Sequence, residues 1–203
     1  RREDTPSFFF ALFCGAVALM QWMTGKLFQE LGMGLSADGF QVLLALDYLT
    51  TPLCVMSGGL FVHALVPAPY FKRFVYGFCM GLGGVLIVFT LLTNSLIYSA
   101  NVYLYQVHVL LCSVVTLIHL AHKALKGHVL ARWVLLAFGI VVVGAVNDIL
   151  HVNQVIQTTF IVPYTFIAFI LMQSGILSGK AAHAFRRAKH LGENLQKEVE
   201  SQT

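Results

Sequence analysis

Charge is what this sequence has least of. Asp, Glu, Lys and Arg make up 11% of its 203 residues, against about 25% in an ordinary soluble domain. Hydrophobic residues make up 58%, and the mean hydropathy is +0.77. Such a chain cannot present a solvated surface on all sides. A soluble globular fold is excluded and a polytopic membrane protein is left. Other absences narrow the choice. No CxxC occurs among the four cysteines, and Cys14, Cys54, Cys79 and Cys112 all sit in apolar runs. They read as small core residues rather than disulfides or metal ligands. Walker, G-x-S-x-G, zinc and kinase motifs are missing, so nothing marks an active site for group transfer and the chain reads as no enzyme. No small-residue cleavage site follows the first apolar run, which excludes a secretory signal. No span has a central lysine, which removes a retinal Schiff base. Neither an internal repeat nor a low-complexity segment is present. The chain opens on Arg1-Arg2 rather than Met and reads as a fragment or a processed chain. Its pI near 9.0 comes from basic residues split among short loops. That pattern fits a membrane surface and no nucleic acid.

What is present is a series of apolar runs long enough to cross a bilayer as helices. They are expected at about 7–23, 40–65, 74–92, 102–120, 133–150 and 156–177. The expected fold class is all-α: a polytopic membrane helical bundle of six spans over residues 1–178. A C-terminal amphipathic signalling helix, 179–203, follows it. Span two contains Asp47 and His63, and Val66-Pro67-Ala68-Pro69 breaks it because proline cannot continue the backbone ladder. Twelve of the thirteen Lys and Arg fall at the N-terminus, in the turns after spans two and four, or in the tail. Lys26 alone falls on the other side. Positive residues in short loops mark the cytoplasm, so both ends of the chain are expected inside.

Polar groups within a bilayer are costly and each needs a reason. Asp47 is the one acid deep in a span. It either pairs with a protonatable group in a polar cavity or makes an interhelical packing bond. Asn147, Asp148, His151 and Asn153 cluster at the outer end of span five. Asp148 and His151 are three apart and share a helix face. With Tyr98, Asn101 and Tyr103 they outline an outward ligand site, although ordinary interfacial anchoring is the plainer reading. The histidines open a different possibility. His108 and His122 are fourteen apart, about 21 Å along one helix face, as in four-helix proteins that stack two haems. His63 and His151 would be the partner ligands of a haem b electron-transfer protein. His119, His128, His183 and His190 read as interfacial or tail residues. A small transporter is a third reading, with Pro163 and Gly83-Gly84 as helix breakers, but it lacks an inverted repeat.

From Lys180 onward the composition turns charged and helix-forming. Ala184, Phe185, Ala188, Leu191 and Leu195 recur at threes and fours. They give roughly two heptads of a seam, too short to stand alone. A helix lying on the membrane surface and a dimeric signalling helix are both open.

The opening RREDTPSFFFALFCGAVALM, the segment AVNDILHVNQVI and the run VPYTFIAFILMQSGILSGKAAHAFRRAKHLGENLQKEV resemble one family. It is the bacterial seven-transmembrane receptors with diverse intracellular signalling modules. The resemblance implies a receptor in the bacterial inner membrane. It would have a sensor domain upstream, a catalytic output domain downstream and no cofactor of its own. It also implies a homodimer joined through the C-terminal helix. In such proteins the last span ends near a Gln-Ser pair, here Gln173 and Ser174, and runs into a helix like that carrying Phe185, Leu191 and Leu195. These five residues are the expected relay. Six spans instead of seven imply that one span precedes Arg1.

Overall fold

A computed structural model describes residues 5–24 and 37–179, together with Ala182 and Arg186. Every regular element among them is helical. Helix α1 is Thr5–Thr24 and α2 is Ala37–Leu65. Helix α3 is Pro69–Leu92, with a π-helical stretch, Phe74–Cys79, inside it. A short helix α4, Ser95–Ala100, precedes α5, Val102–Leu125. Helix α6 is Val129–Val152 and α7 is Val162–Gly179. Six of these are long and apolar enough to span a bilayer.

Helix α2 is the hub. It packs on α1, α3 and α5, and Phe61 on α2 meets Phe169 on α7 edge to face. Phe169 also touches Phe13 on α1 and Phe138 on α6. Large apolar residues face outward, among them Leu92, Val143 and Leu171. Thr50, Ser57, Thr90, His108, Thr116, His119 and Gln173 are buried. The polar groups are inside and the oily ones outside, as lipid demands.

Pro52 lies inside α2 and deprives the Tyr48 carbonyl of its usual donor. The hydroxyls of Thr50 and Thr51 turn back to the Asp47 carbonyl, at 2.8 and 3.5 Å. Such side-chain bonds let a membrane helix tolerate proline.

Several boundaries differ from those expected. Helix α3 begins at Pro69 rather than Phe74, because a proline in the first turn starts a helix as readily as it ends one. The uncharged turn after α3 contains a helix, α4, whose N-terminus is capped by Asn94 accepting from the Ile97 amide at 3.2 Å. Helices α5 and α6 run past the apolar stretch into their charged ends, joined by the turn at Lys126. There the Gly127 amide donates to the Ala124 carbonyl at 3.1 Å and the His128 amide to the Lys123 carbonyl at 3.2 Å. This double closure needs a left-handed residue, and Gly127 supplies it at φ 87°. The last span starts at Val162 and not Ile156, with residues 157–161 in no regular secondary structure. Pro163 therefore sits in the first turn of α7 and does not break it. Helical structure runs through Ser178 to Gly179.

Candidate functional site

Helix α5 carries the polar seam of the bundle. Tyr105, His108, Cys112, Thr116 and His119 are buried and recur at threes and fours, so they share one face. Val107, Leu111, Val114 and Ile118 point away from the bundle. Tyr105, His108 and His119 reach α3 or the turn before it, and Thr116 bonds within its own helix. The hydroxyl of Tyr105 meets that of Thr90 on α3 at 2.5 Å. A ring nitrogen of His108, Nε2, meets the Cys79 carbonyl on α3 at 3.2 Å. The Thr116 hydroxyl donates to its own helix at the Cys112 carbonyl, 2.7 Å away. His119 Nε2 donates to the Val66 carbonyl at 2.8 Å, and its Nδ1 accepts from the Tyr70 hydroxyl at 2.6 Å. The Val66 carbonyl accepts only, so Nε2 carries a proton, and Nδ1 accepts when the ring is neutral.

Cys79, His108 and Cys112 form a buried cluster whose ligand atoms all lie within 4.8 Å of one another. Beside it, between α1, α2, α5, α6 and α7, is a cavity of about 90 Å³. Its walls include Phe13, Gly58, Cys112 and Phe169.

At the far end of the bundle the expected ligand residues separate into three groups. Tyr98 on α4 is buried and packs on Tyr48, with centroids 4.9 Å apart. Tyr48 also meets Tyr105 edge to face at 5.0 Å. Burial pushes the Tyr98 hydroxyl above its ordinary pKa, with Tyr105 adding to the effect. Asp47, half-buried, precedes Tyr48 on α2. Asn101 and Tyr103 form a second group, the tyrosine hydroxyl donating to the Asn101 side-chain oxygen, Oδ1, at 2.9 Å. Tyr103 is 54% exposed.

The third group joins α6 to α7. Asp148 accepts from the Ile161 amide at 2.9 Å and from the Val162 amide at 3.1 Å, one bond to each carboxylate oxygen. These amides open α7, where a helix has unpaired donors and a partial positive charge. Asn147 bridges Asp148 and the Thr159 carbonyl, at 2.9 and 3.0 Å. His151 packs edge-on against Phe160 at 5.0 Å, and its Nδ1 is buried without a hydrogen-bond partner. Asn153 reaches Gln106 on α5 at 3.3 Å. The corner ends on Gln154 at φ 58°, a left-handed conformation that costs a non-glycine residue about 1 kcal/mol.

Of the histidines considered as haem ligands, His108 is in the core, while His63 lies near Phe71 and Tyr76 at the opposite end from His151. His122 is exposed at the end of α5. His119, expected at the interface, is instead 1% exposed. The lipid-facing residues between the seam positions are all apolar, and that pattern is the signal in the sequence that places it inside. Among the relay residues, Gln173 is fully buried with both amide atoms unpartnered, and Ser174 is exposed. Phe185, Leu191 and Leu195 lie outside the described residues.

The family model for 7TM diverse intracellular signalling proteins matches residues 1–180. The chain belongs to that family and is a multi-pass membrane protein of a signalling receptor class. No curated protein and no solved structure matches it.

Proposed function

We propose that this member of the 7TM diverse intracellular signalling family is a receptor module that relays an extracytoplasmic signal through α7 to a cytoplasmic output domain. The relay is a change between two arrangements of α7 against the rest of the bundle. The observation that carries this reading is Gln173. Its amide is 0% exposed and makes no hydrogen bond. An unpaired buried amide costs about 1–3 kcal/mol. A second arrangement in which Gln173 finds a partner recovers that energy, which is of the size separating two populated states. Asp148 supplies the input link, because it fastens the first turn of α7 to the end of α6.

In this reading the Asp148 end faces outward, where Asp47, Tyr98, Asn101, Tyr103, Asn147 and His151 border the signal-receiving surface. The tail residues Phe185, Leu191 and Leu195 pair across a homodimer and carry the shift onward. The relay itself uses no cofactor.

Cross-linking in native membranes tests the relay. With a Leu191→Cys reporter, Gln173→Leu removes the unpaired amide and fixes α7 in one arrangement. The disulfide yield between protomers then moves to one extreme. A yield that is the same with and without the Gln173→Leu substitution contradicts the proposal.

A further inference from the structure

The cluster on the polar seam has the composition and setting of a metal site. Cys79, His108 and Cys112 are 1%, 0% and 5% exposed. His108 and Cys112 are one turn apart on α5, and Cys79 approaches from α3. Cys79 closes the π-helical stretch, where the Met80 amide bonds to the Val75 carbonyl. A π turn inserts one residue and re-aims the side chains around it, and such turns recur at functional sites.

The orientation of His108 is the second observation. Its Nε2 faces the Cys79 carbonyl at 3.2 Å. A carbonyl accepts only, so Nε2 carries the proton and Nδ1 carries the lone pair. That Nδ1 is buried and has no hydrogen-bond partner. A histidine with one nitrogen donating to a backbone carbonyl and the other left free is arranged as metal-ligating histidines are. Gly83 permits the close approach of this ring. A Cβ at position 83 would meet His108 Cε1 at 3.3 Å and Met56 Sδ at 2.6 Å.

We propose that Cys79, His108 and Cys112 bind a thiophilic divalent ion of the Zn²⁺ class. The donor set is two sulfurs and one imidazole nitrogen, which selects soft or borderline ions and rejects Ca²⁺ and Mg²⁺. Both thiols lose their protons on binding, so two protons are released for each ion taken up. Two thiolates cancel the double charge, and the complex is neutral where a net charge is most costly. A monovalent ion on the same two thiolates leaves one negative charge uncompensated. Ligand atoms about 2.1–2.3 Å from a shared ion sit roughly 3.5–4 Å apart. The separations here, up to 4.8 Å, therefore need only a small closure. The ion ties α3 to α5 at mid-membrane, beside the central cavity that Cys112 lines.

The test uses the chain purified under reductant, stripped with a chelator and titrated with Zn²⁺. One tightly held ion per chain, release of two protons per ion and an X-ray absorption shell of two sulfurs with nitrogen are expected. Cys79→Ser, Cys112→Ser and His108→Asn each weaken binding at least tenfold, whereas Cys14→Ser and Cys54→Ser leave it unchanged. The absorption shell is read on the unaltered protein, so it decides even where a variant fails to fold. A shell of nitrogen and oxygen alone overturns the proposal. So does full binding by the Cys79→Ser/Cys112→Ser double variant, absence of tight binding, or a Cys79–Cys112 disulfide that persists under reductant.

Discussion

The imidazole of His119 lies flat on the ring of Phe71, with centroids 4.1 Å apart and planes 6° from parallel. The same imidazole donates to the Val66 carbonyl and accepts from Tyr70. One side chain of α5 thus holds the end of α2, the following turn and the start of α3. Both ring nitrogens are satisfied, so this buried histidine fastens α5 to α3 and the turn before it.

Replacing it separates packing from hydrogen bonding. His119→Ala removes both and leaves the buried Val66 carbonyl without its donor. A loss of about 2–3 kcal/mol is expected. His119→Phe keeps a ring on Phe71 and forfeits only the polar bonds, for a loss of about 1 kcal/mol. Denaturation midpoints in detergent distinguish them, and equal losses would contradict the division.

Asp148 caps α7, so Asp148→Ala uncovers two backbone amides at a cost of about 1–2 kcal/mol. Asp148→Asn retains an acceptor and costs less. Hydrogen exchange at Ile161 and Val162 accelerates in the alanine variant first. Protection unchanged there means the cap is not formed in the membrane.

Gly144 on α6 lies close against Thr165 of α7. A Cβ there would meet Thr165 at Oγ1, 2.7 Å, and Cγ2, 2.9 Å. Threonine is stiff at χ1 and cannot swing aside cheaply. Gly144→Ala is expected to cost about 1–3 kcal/mol, and Thr165→Ala in the same chain to restore most of it. Additive losses would show that the two helices do not meet there.

The orientation follows from the basic turns. In the proposed orientation, with the basic turns inside, an impermeant maleimide on whole cells is expected to label Asn153→Cys and not Lys126→Cys. The reverse pattern would contradict that orientation.

The spans are legible in the sequence because a bilayer imposes length and apolarity on each helix independently, without reference to its neighbours. Their ends are less legible. Pro69 and Pro163 look like breaks in a list of residues and act as starts once a capping partner such as Asp148 is in place. The candidate site is partly readable. Asp148 and Asn147 stand out as polar groups at a helix end, but their target, the first amides of α7, lies more than ten residues away. Cys79, His108 and Cys112 look like unrelated members of apolar runs. The π turn before Met80, which leaves no mark in the residue pattern, brings Cys79 to the other two. Pro52 does not interrupt span two, whose helix runs from Ala37 to Leu65.

The central claim is that α7 has two arrangements divided by Gln173. Pulsed electron paramagnetic resonance measures it directly, with spin labels at the outward-facing positions Val143→Cys on α6 and Ile167→Cys on α7, in lipid. Two distance populations are expected in the native background, collapsing to one with Gln173→Leu. A single population, the same in both backgrounds, would contradict the account.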